Sequence, residues 1–162
     1  MTKLPIAGAP RMPSRSPTHR DIEFGKLAGL GMDVEEIADG EPVTARQLLD
    51  LALERGKPVS HYYAAAVLAT DVELATGAPI QAVFCAGKCQ QWGALDCIDR
   101  AADLWERRAA KGEPGFDIVT RQCLDRCERA AVCEIRTPDG TAVITEATDA
   151  KVEQALTEAL GG

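Results

Sequence analysis

Four of the six cysteines form two closely spaced pairs, Cys85 with Cys89 and Cys123 with Cys127, and three residues separate the members of each pair. Each pair follows a short β-rich segment, so both are predicted to lie in loops after strands. Thiolates are soft ligands that suit iron–sulfur clusters and zinc. Four thiolates from two loops can hold either one, and their spacing alone leaves the choice open.

The residues around the two pairs favour negative charge on sulfur. Lys88 and Arg126 lie inside the pairs and can offset thiolate charge. Cys89 comes just before a predicted helix over 90–111, whose first amides and dipole stabilise an anion. Gly87 in the first loop leaves backbone N–H groups available to sulfur atoms.

Other kinds of cysteine chemistry fit this chain less well. Its start lacks the sustained apolar segment of a secretory signal, so we expect a cytoplasmic protein, in which disulfides are rare. A thioredoxin-like catalytic pair needs two intervening residues, and a Rieske centre needs two histidine ligands. The histidines, His19 and His61, are far from both pairs in sequence.

Two further cysteines, Cys97 and Cys133, fall inside a predicted helix and a predicted strand. A cysteine in such a position usually packs as a small apolar residue. We therefore predict a core role for both. The alternative is that one of them replaces Cys85 as a ligand.

The charge of the chain limits its partners. The net charge is −7, although residues 1–20 hold four cations and no acid and are predicted to be a mobile basic tail. An acidic body disfavours nucleic acid and fits an electron carrier that docks on basic surfaces.

No segment approaches the ~20 apolar residues of a membrane span.

Residues 21–78 are predicted to be a helical N-terminal region. Its first part, 21–41, is interrupted by glycines and is predicted to be a loop with at most a short helix. Thr44 and Gln47 form a capping-box pattern for a helix that ends near Gly56. Ser60 is expected to cap a second helix that ends by residue 77, which completes a helical hairpin.

The pattern changes from residue 79 onward to alternating strands and helices. A helix long enough to be a crossover joins the first two strands, so these are predicted to be parallel, and the last two form an antiparallel hairpin. This order predicts an α/β fold with a small mixed sheet and flanking helices. The predicted segments are strand 80–84, helix 90–111, strands 116–120, 132–136 and 142–145, and a helix from Thr148 or Asp149.

Several of these motifs together resemble the thioredoxin-like 2Fe-2S ferredoxins, a module that also forms the small cluster-bearing subunit of NADH dehydrogenases and of some hydrogenases and formate dehydrogenases. The resemblance covers residues 79–161. It is carried by Val83-Phe84-Cys85, Cys89-Gln-Gln-Trp-Gly-Ala94, the Cys123–Cys127 pair, Val132-Cys-Glu-Ile135 and Thr137-Pro-Asp-Gly140.

The resemblance implies a thioredoxin-like domain over 79–162 with a 2Fe-2S cluster. By position, the ligands would be Cys85, Cys89, Cys123 and Cys127. Such a domain moves single electrons, so the chain would be an electron-transfer component of an oxidoreductase rather than a catalyst by itself. The expected partner is a flavin- or nicotinamide-dependent oxidoreductase subunit, or a second copy of the chain.

Two other functions remain open at this point. Four thiolates could bind zinc in a stapled binding module without redox activity. A cluster could also serve a sensor or be delivered to another protein.

Overall fold

The structure is a computed structural model that describes residues 22–161, without the side chains of Phe24 and Cys127. The predicted basic tail, 1–20, lies outside the described residues. Within the described range, no helix has the length and apolar character needed to cross a membrane.

The described chain contains five α-helices, four β-strands and two short 3₁₀-helices. The α-helices are α1 (Phe24–Ala38), α2 (Ala45–Arg55), α3 (Val59–Ala69), α4 (Ala94–Ala109) and α5 (Asp149–Ala159). The strands are β1 (Ile80–Cys85), β2 (Phe116–Arg121), β3 (Cys133–Thr137) and β4 (Gly140–Ile144). The 3₁₀-helices span Lys88–Trp92 and Cys127–Arg129.

The four strands form one mixed sheet in the order β2-β1-β3-β4. β1 and β2 are parallel and are joined through α4, whereas β3 pairs antiparallel with both β1 and β4. This topology confirms the predicted α/β class and the small mixed sheet with flanking helices. Because β1 and β2 are parallel neighbours, the segments that follow them leave the same end of the sheet.

The prediction of a loop with at most a short helix over 21–41 is wrong, because α1 occupies most of this range. Leu30 and Val34 on α1 are buried. A Cβ atom at Gly31 would lie 3.0 Å from the Cβ of Ala69 on α3, so the glycine permits close packing of these helices. Tertiary packing therefore stabilises a helix that the glycines disfavour locally.

The start of α2 confirms the predicted capping box. The Thr44 hydroxyl accepts a hydrogen bond from the Gln47 N–H (3.1 Å), and Gln47 Oε1 accepts one from the Thr44 N–H (2.9 Å). The helix ends at Gly56, which adopts the left-handed conformation with φ 66°.

The start of α3 is capped from another helix. The prediction that Ser60 caps it is wrong, because Pro58 precedes the helix and Ser60 lies in its first turn. Asp99 of α4 instead accepts hydrogen bonds from the Ser60 N–H (2.9 Å) and hydroxyl (3.0 Å). A carboxylate there satisfies a first-turn amide and complements the helix dipole.

Helix α3 lies at the centre of the molecule, where it contacts α1, α2, α4 and β2. A helix that is apolar on all sides is typical of a core position. Its buried apolar residues include Val59, Tyr62, Tyr63, Ala64, Ala65 and Ala66. Through this helix, the buried residues of the N-terminal region and of the sheet join in one hydrophobic cluster.

Helix α4 starts later than predicted. Gly93 has φ 93°, which separates α4 from the preceding 3₁₀-helix, so the single helix predicted over 90–111 is two elements. The predicted apolar positions Leu95, Ile98 and Ala102 are buried. The strong amphipathic pattern therefore located α4 correctly and misplaced its beginning.

Asp99→Ala removes both hydrogen bonds at the start of α3, so we expect the free energy of unfolding to fall by about 1–2 kcal/mol. Asp99→Asn retains an acceptor oxygen and should lose less. Denaturant titration measures both. Asp103→Ala, at an exposed position of α4, is the control and should stay within about 0.5 kcal/mol of wild type. Equal losses at the two positions would contradict the capping role of Asp99.

Candidate metal centre

The structure brings the first cysteine pair together. Cys85 is the last residue of β1 rather than part of a loop, and Cys89 lies in the 3₁₀-helix Lys88–Trp92 rather than directly before α4. Both side chains are buried, with 1% and 2% of their surface exposed. A hydrogen bond joins the two side chains, so the two thiols lie near each other.

Backbone amides from both loops surround the Cys85 sulfur. The hydrogen bond with the Cys89 side chain lowers the pKa of Cys85 most; burial opposes it, and N–H groups of Gly87, Cys89 and Leu124 lower it further. The pKa falls from 9.0 to about 6. When protonated, the thiol instead donates to the Gln122 carbonyl oxygen (3.6 Å). Without metal, these contacts therefore favour the thiolate form of Cys85.

The second cysteine loop lies directly against the first. The Ala86 N–H donates to the Arg121 carbonyl (2.8 Å), which extends the contact of β1 with β2 beyond the strand ends. Gly87 then approaches Gln122 so closely that a Cβ on Gly87 would overlap the Gln122 carbonyl oxygen. Any other residue at position 87 would push the loops apart, so this glycine sets their separation.

The second cysteine pair is placed on the adjacent loop, and its described side chain, Cys123, does not form a metal-binding group with the first pair. Cys123 is exposed, and its sulfur accepts a hydrogen bond from the Asp125 N–H (3.2 Å). Cys127 begins the second 3₁₀-helix, and its side chain is outside the described part of the structure. Among the side chains that the structure does describe, no three Cys, His, Asp or Glu residues form one metal-binding group.

The donor set at the first pair fits a thiolate-bound metal or cluster. Cys85 and Cys89 are hydrogen-bonded neighbours, and the lowered pKa of Cys85 favours the thiolate, which is the form that binds metal. The amides aimed at Cys85 are the kind of donor that stabilises ligand sulfur in iron–sulfur proteins. The Cys123 loop supplies one of these amides, from Leu124, so it belongs to the same environment.

Gln90 was not among the sequence-predicted site residues, although it helps to position the first loop. Its side chain is buried, and its Nε2 donates to the Ala86 carbonyl (2.7 Å). Its Oε1 accepts a hydrogen bond from the Ile22 N–H just before α1 (3.0 Å). The only sequence signal was its position after Cys89, since the contact with Ile22 is a tertiary one.

Cys97 and Cys133 lie in the hydrophobic core, as predicted. Burial raises the pKa of Cys133 to about 12 and raises that of Cys97 further, so both remain thiols. Cys133 is the strand partner of Phe84. Side chains alternate along a strand, so Cys133 faces the opposite side of the sheet from Cys85.

Comparison with known proteins adds no relative: neither a search of protein-family models nor a search of curated proteins finds a match to this chain. The chemistry of the site therefore carries the functional conclusion.

Gly87→Ala should separate the two cysteine loops, because the new Cβ would overlap the Gln122 carbonyl. We expect a loss of about 1–3 kcal/mol in the free energy of unfolding, measured with denaturant. Gly77→Ala is the matched control, because a Cβ at Gly77 meets nothing within 4 Å. Similar losses for the two variants would show that the contact with Gln122 does not limit residue 87.

The metal-free, reduced protein should show a first step in thiolate ultraviolet absorbance with a midpoint at about pH 6, from the hydrogen-bonded Cys85–Cys89 pair. The thiol form predominates below this pH and the thiolate above it. Cys85→Ser should abolish the step, whereas Cys133→Ser should keep it, because the pKa of Cys133 is about 12. A first step at pH 9.0, the ordinary value, would contradict the proposed stabilisation of the Cys85 thiolate.

Proposed function

We propose that this chain carries one 2Fe-2S cluster on Cys85, Cys89, Cys123 and Cys127 and transfers single electrons as a component of an oxidoreductase. The observation that most supports this function is the meeting of the two cysteine loops at the Cys85 sulfur. Two pairs of soft ligands on touching loops suit one compact inorganic centre.

Each cysteine pair would hold the cluster from a different environment. Cys85 and Cys89 would bind from the buried side, and Cys123 and Cys127 from the adjacent loop, on which Cys123 is exposed. When bound, a 2Fe-2S cluster accepts and releases one electron at a time. The N–H groups of Gly87, Cys89 and Leu124 stabilise negative charge on sulfur, and such hydrogen bonds influence the reduction potential.

The sheet and its crossover helix support a place among the thioredoxin-like 2Fe-2S ferredoxins. β1 and β2 are parallel neighbours, so their carboxyl ends present the two cysteine loops side by side. The chain has no complete dinucleotide-binding motif in its sequence. We therefore propose that the flavin or nicotinamide chemistry belongs to a partner subunit, with self-association as the alternative.

Anaerobic purification with iron and sulfide should yield a coloured protein that bleaches with dithionite and then gives an electron paramagnetic resonance signal. Cys123→Ser and Cys127→Ser should destroy or strongly alter the visible spectrum. Cys133→Ser should preserve it, because Cys133 is a core residue. Metal analysis completes the experiment.

Three results would redirect the proposal. A colourless protein with stoichiometric zinc would establish a zinc-stapled module. Bleaching by Cys133→Ser together with a retained spectrum for Cys85→Ser would overturn the ligand set. Transfer of the cluster to an apo-protein, with no reduction by any reductase, would establish cluster delivery.

A further inference from the structure

We propose that the cysteine-loop end of the molecule docks an acidic protein surface through Lys88, Arg121 and Arg126, which we call the basic rim. This inference rests on the proposed function in that it describes the redox partner of the same site. The partner would present exposed carboxylates where it receives or supplies the electron.

Every member of the basic rim adjoins a cysteine of the candidate centre. Lys88 directly precedes Cys89, and Arg126 directly precedes Cys127. Arg121 is the strand partner of Cys85 at the end of β2. All three cationic residues are exposed. A protein that approaches the exposed loop of the centre would therefore meet these charges.

No ion pair within the described part of the chain involves a cation of the basic rim. The ion pairs between residues 22–161 use other cations, which are Lys26, Arg46, Arg55, Arg100, Arg107, Arg129 and Arg136. Asp125 and Glu128 lie in the same region as the basic rim, but the cations outnumber them. No ion pair among the described residues therefore keeps these three side chains from contacting an external carboxylate.

The other end of α1 carries an acidic groove. A surface groove at its C-terminal end is lined by Glu35, Glu41, Asp71 and Glu73. The N-terminal end of α1 is tied to the cysteine loop through Ile22 and Gln90. A helix of 15 residues separates these two ends by roughly 20 Å.

This distribution reverses the expectation drawn from total charge. The net charge of −7 favours a basic partner, whereas the cations around the centre favour an acidic one. Local charge at a docking site governs orientation and the rate of productive encounter. The basic rim would therefore direct the cysteine loops, rather than the acidic end, toward the partner.

A fluorescein-labelled oligoglutamate peptide tests the docking surface without any need for redox activity. In fluorescence anisotropy at low ionic strength, the protein should bind this probe, and added salt should weaken the binding. The double variant Arg121→Gln/Arg126→Gln should bind about tenfold more weakly.

The control variant Lys57→Gln/Lys111→Gln removes the same charge from exposed positions outside the two cysteine loops. It should change the affinity less than about twofold. Absence of binding to wild type, or equal weakening in the two double variants, would overturn the proposal.

Two redox probes of opposite charge connect the surface to electron transfer. The reduced protein gives one electron to ferricyanide or to hexaammineruthenium(III), and stopped-flow absorbance measures both rates. Added salt should slow the reaction with anionic ferricyanide and accelerate that with the cationic ruthenium complex. The opposite salt dependence would show that total charge controls encounter and would overturn the basic rim.

The reduction potential separates docking from tuning of the centre. If Arg121→Gln/Arg126→Gln shifts the potential and leaves oligoglutamate binding unchanged, the cations serve the cluster and the docking proposal is wrong. A colourless protein that still binds oligoglutamate through the basic rim would refute the proposed function and support the docking surface. A coloured protein that does not bind oligoglutamate would support the proposed function and refute the docking surface.

Discussion

The close approach of Gly87 to the Gln122 carbonyl is the constraint on which the candidate centre depends. The absent side chain at Gly87 lets the segment after β1 lie against the segment after β2. Cys85 consequently receives a hydrogen bond from Leu124, which is on the other loop. Without that approach, the two segments would lie farther apart and Cys85 would lose part of the environment that stabilises its thiolate.

The rest of the fold holds these two loops at one end of the sheet. Parallel pairing of β1 and β2 brings their carboxyl ends together, and α4 provides the crossover that parallel pairing requires. Helix α3 packs against both α4 and β2. Its first turn is joined to α4 through Ser60 and Asp99. The helical region thereby supports the same elements from which the cysteine loops emerge.

The sequence alone predicted the elements whose signals are local. Short β-rich segments and turn residues located the four strands to within a few positions, and Thr44 and Gln47 formed the expected cap. Tertiary contacts could not be predicted from local sequence signals. Helix α1 forms despite its glycines because Gly31 fits against Ala69, and Gly87 owes its role to Gln122, which is distant in sequence. The cysteine spacing indicated thiolate ligands, but only the fold shows which amides face Cys85.

Gln90 links the start of α1 to the first cysteine loop. Its amide binds Ile22 on one side and Ala86 on the other, so the segment before α1 cannot shift without moving the first loop or breaking a hydrogen bond to the buried Gln90 amide. Leaving such a group unsatisfied costs about 1–3 kcal/mol. Ordering of the first cysteine loop and ordering at the beginning of α1 are therefore thermodynamically coupled, and by reciprocity each lowers the free-energy cost of the other.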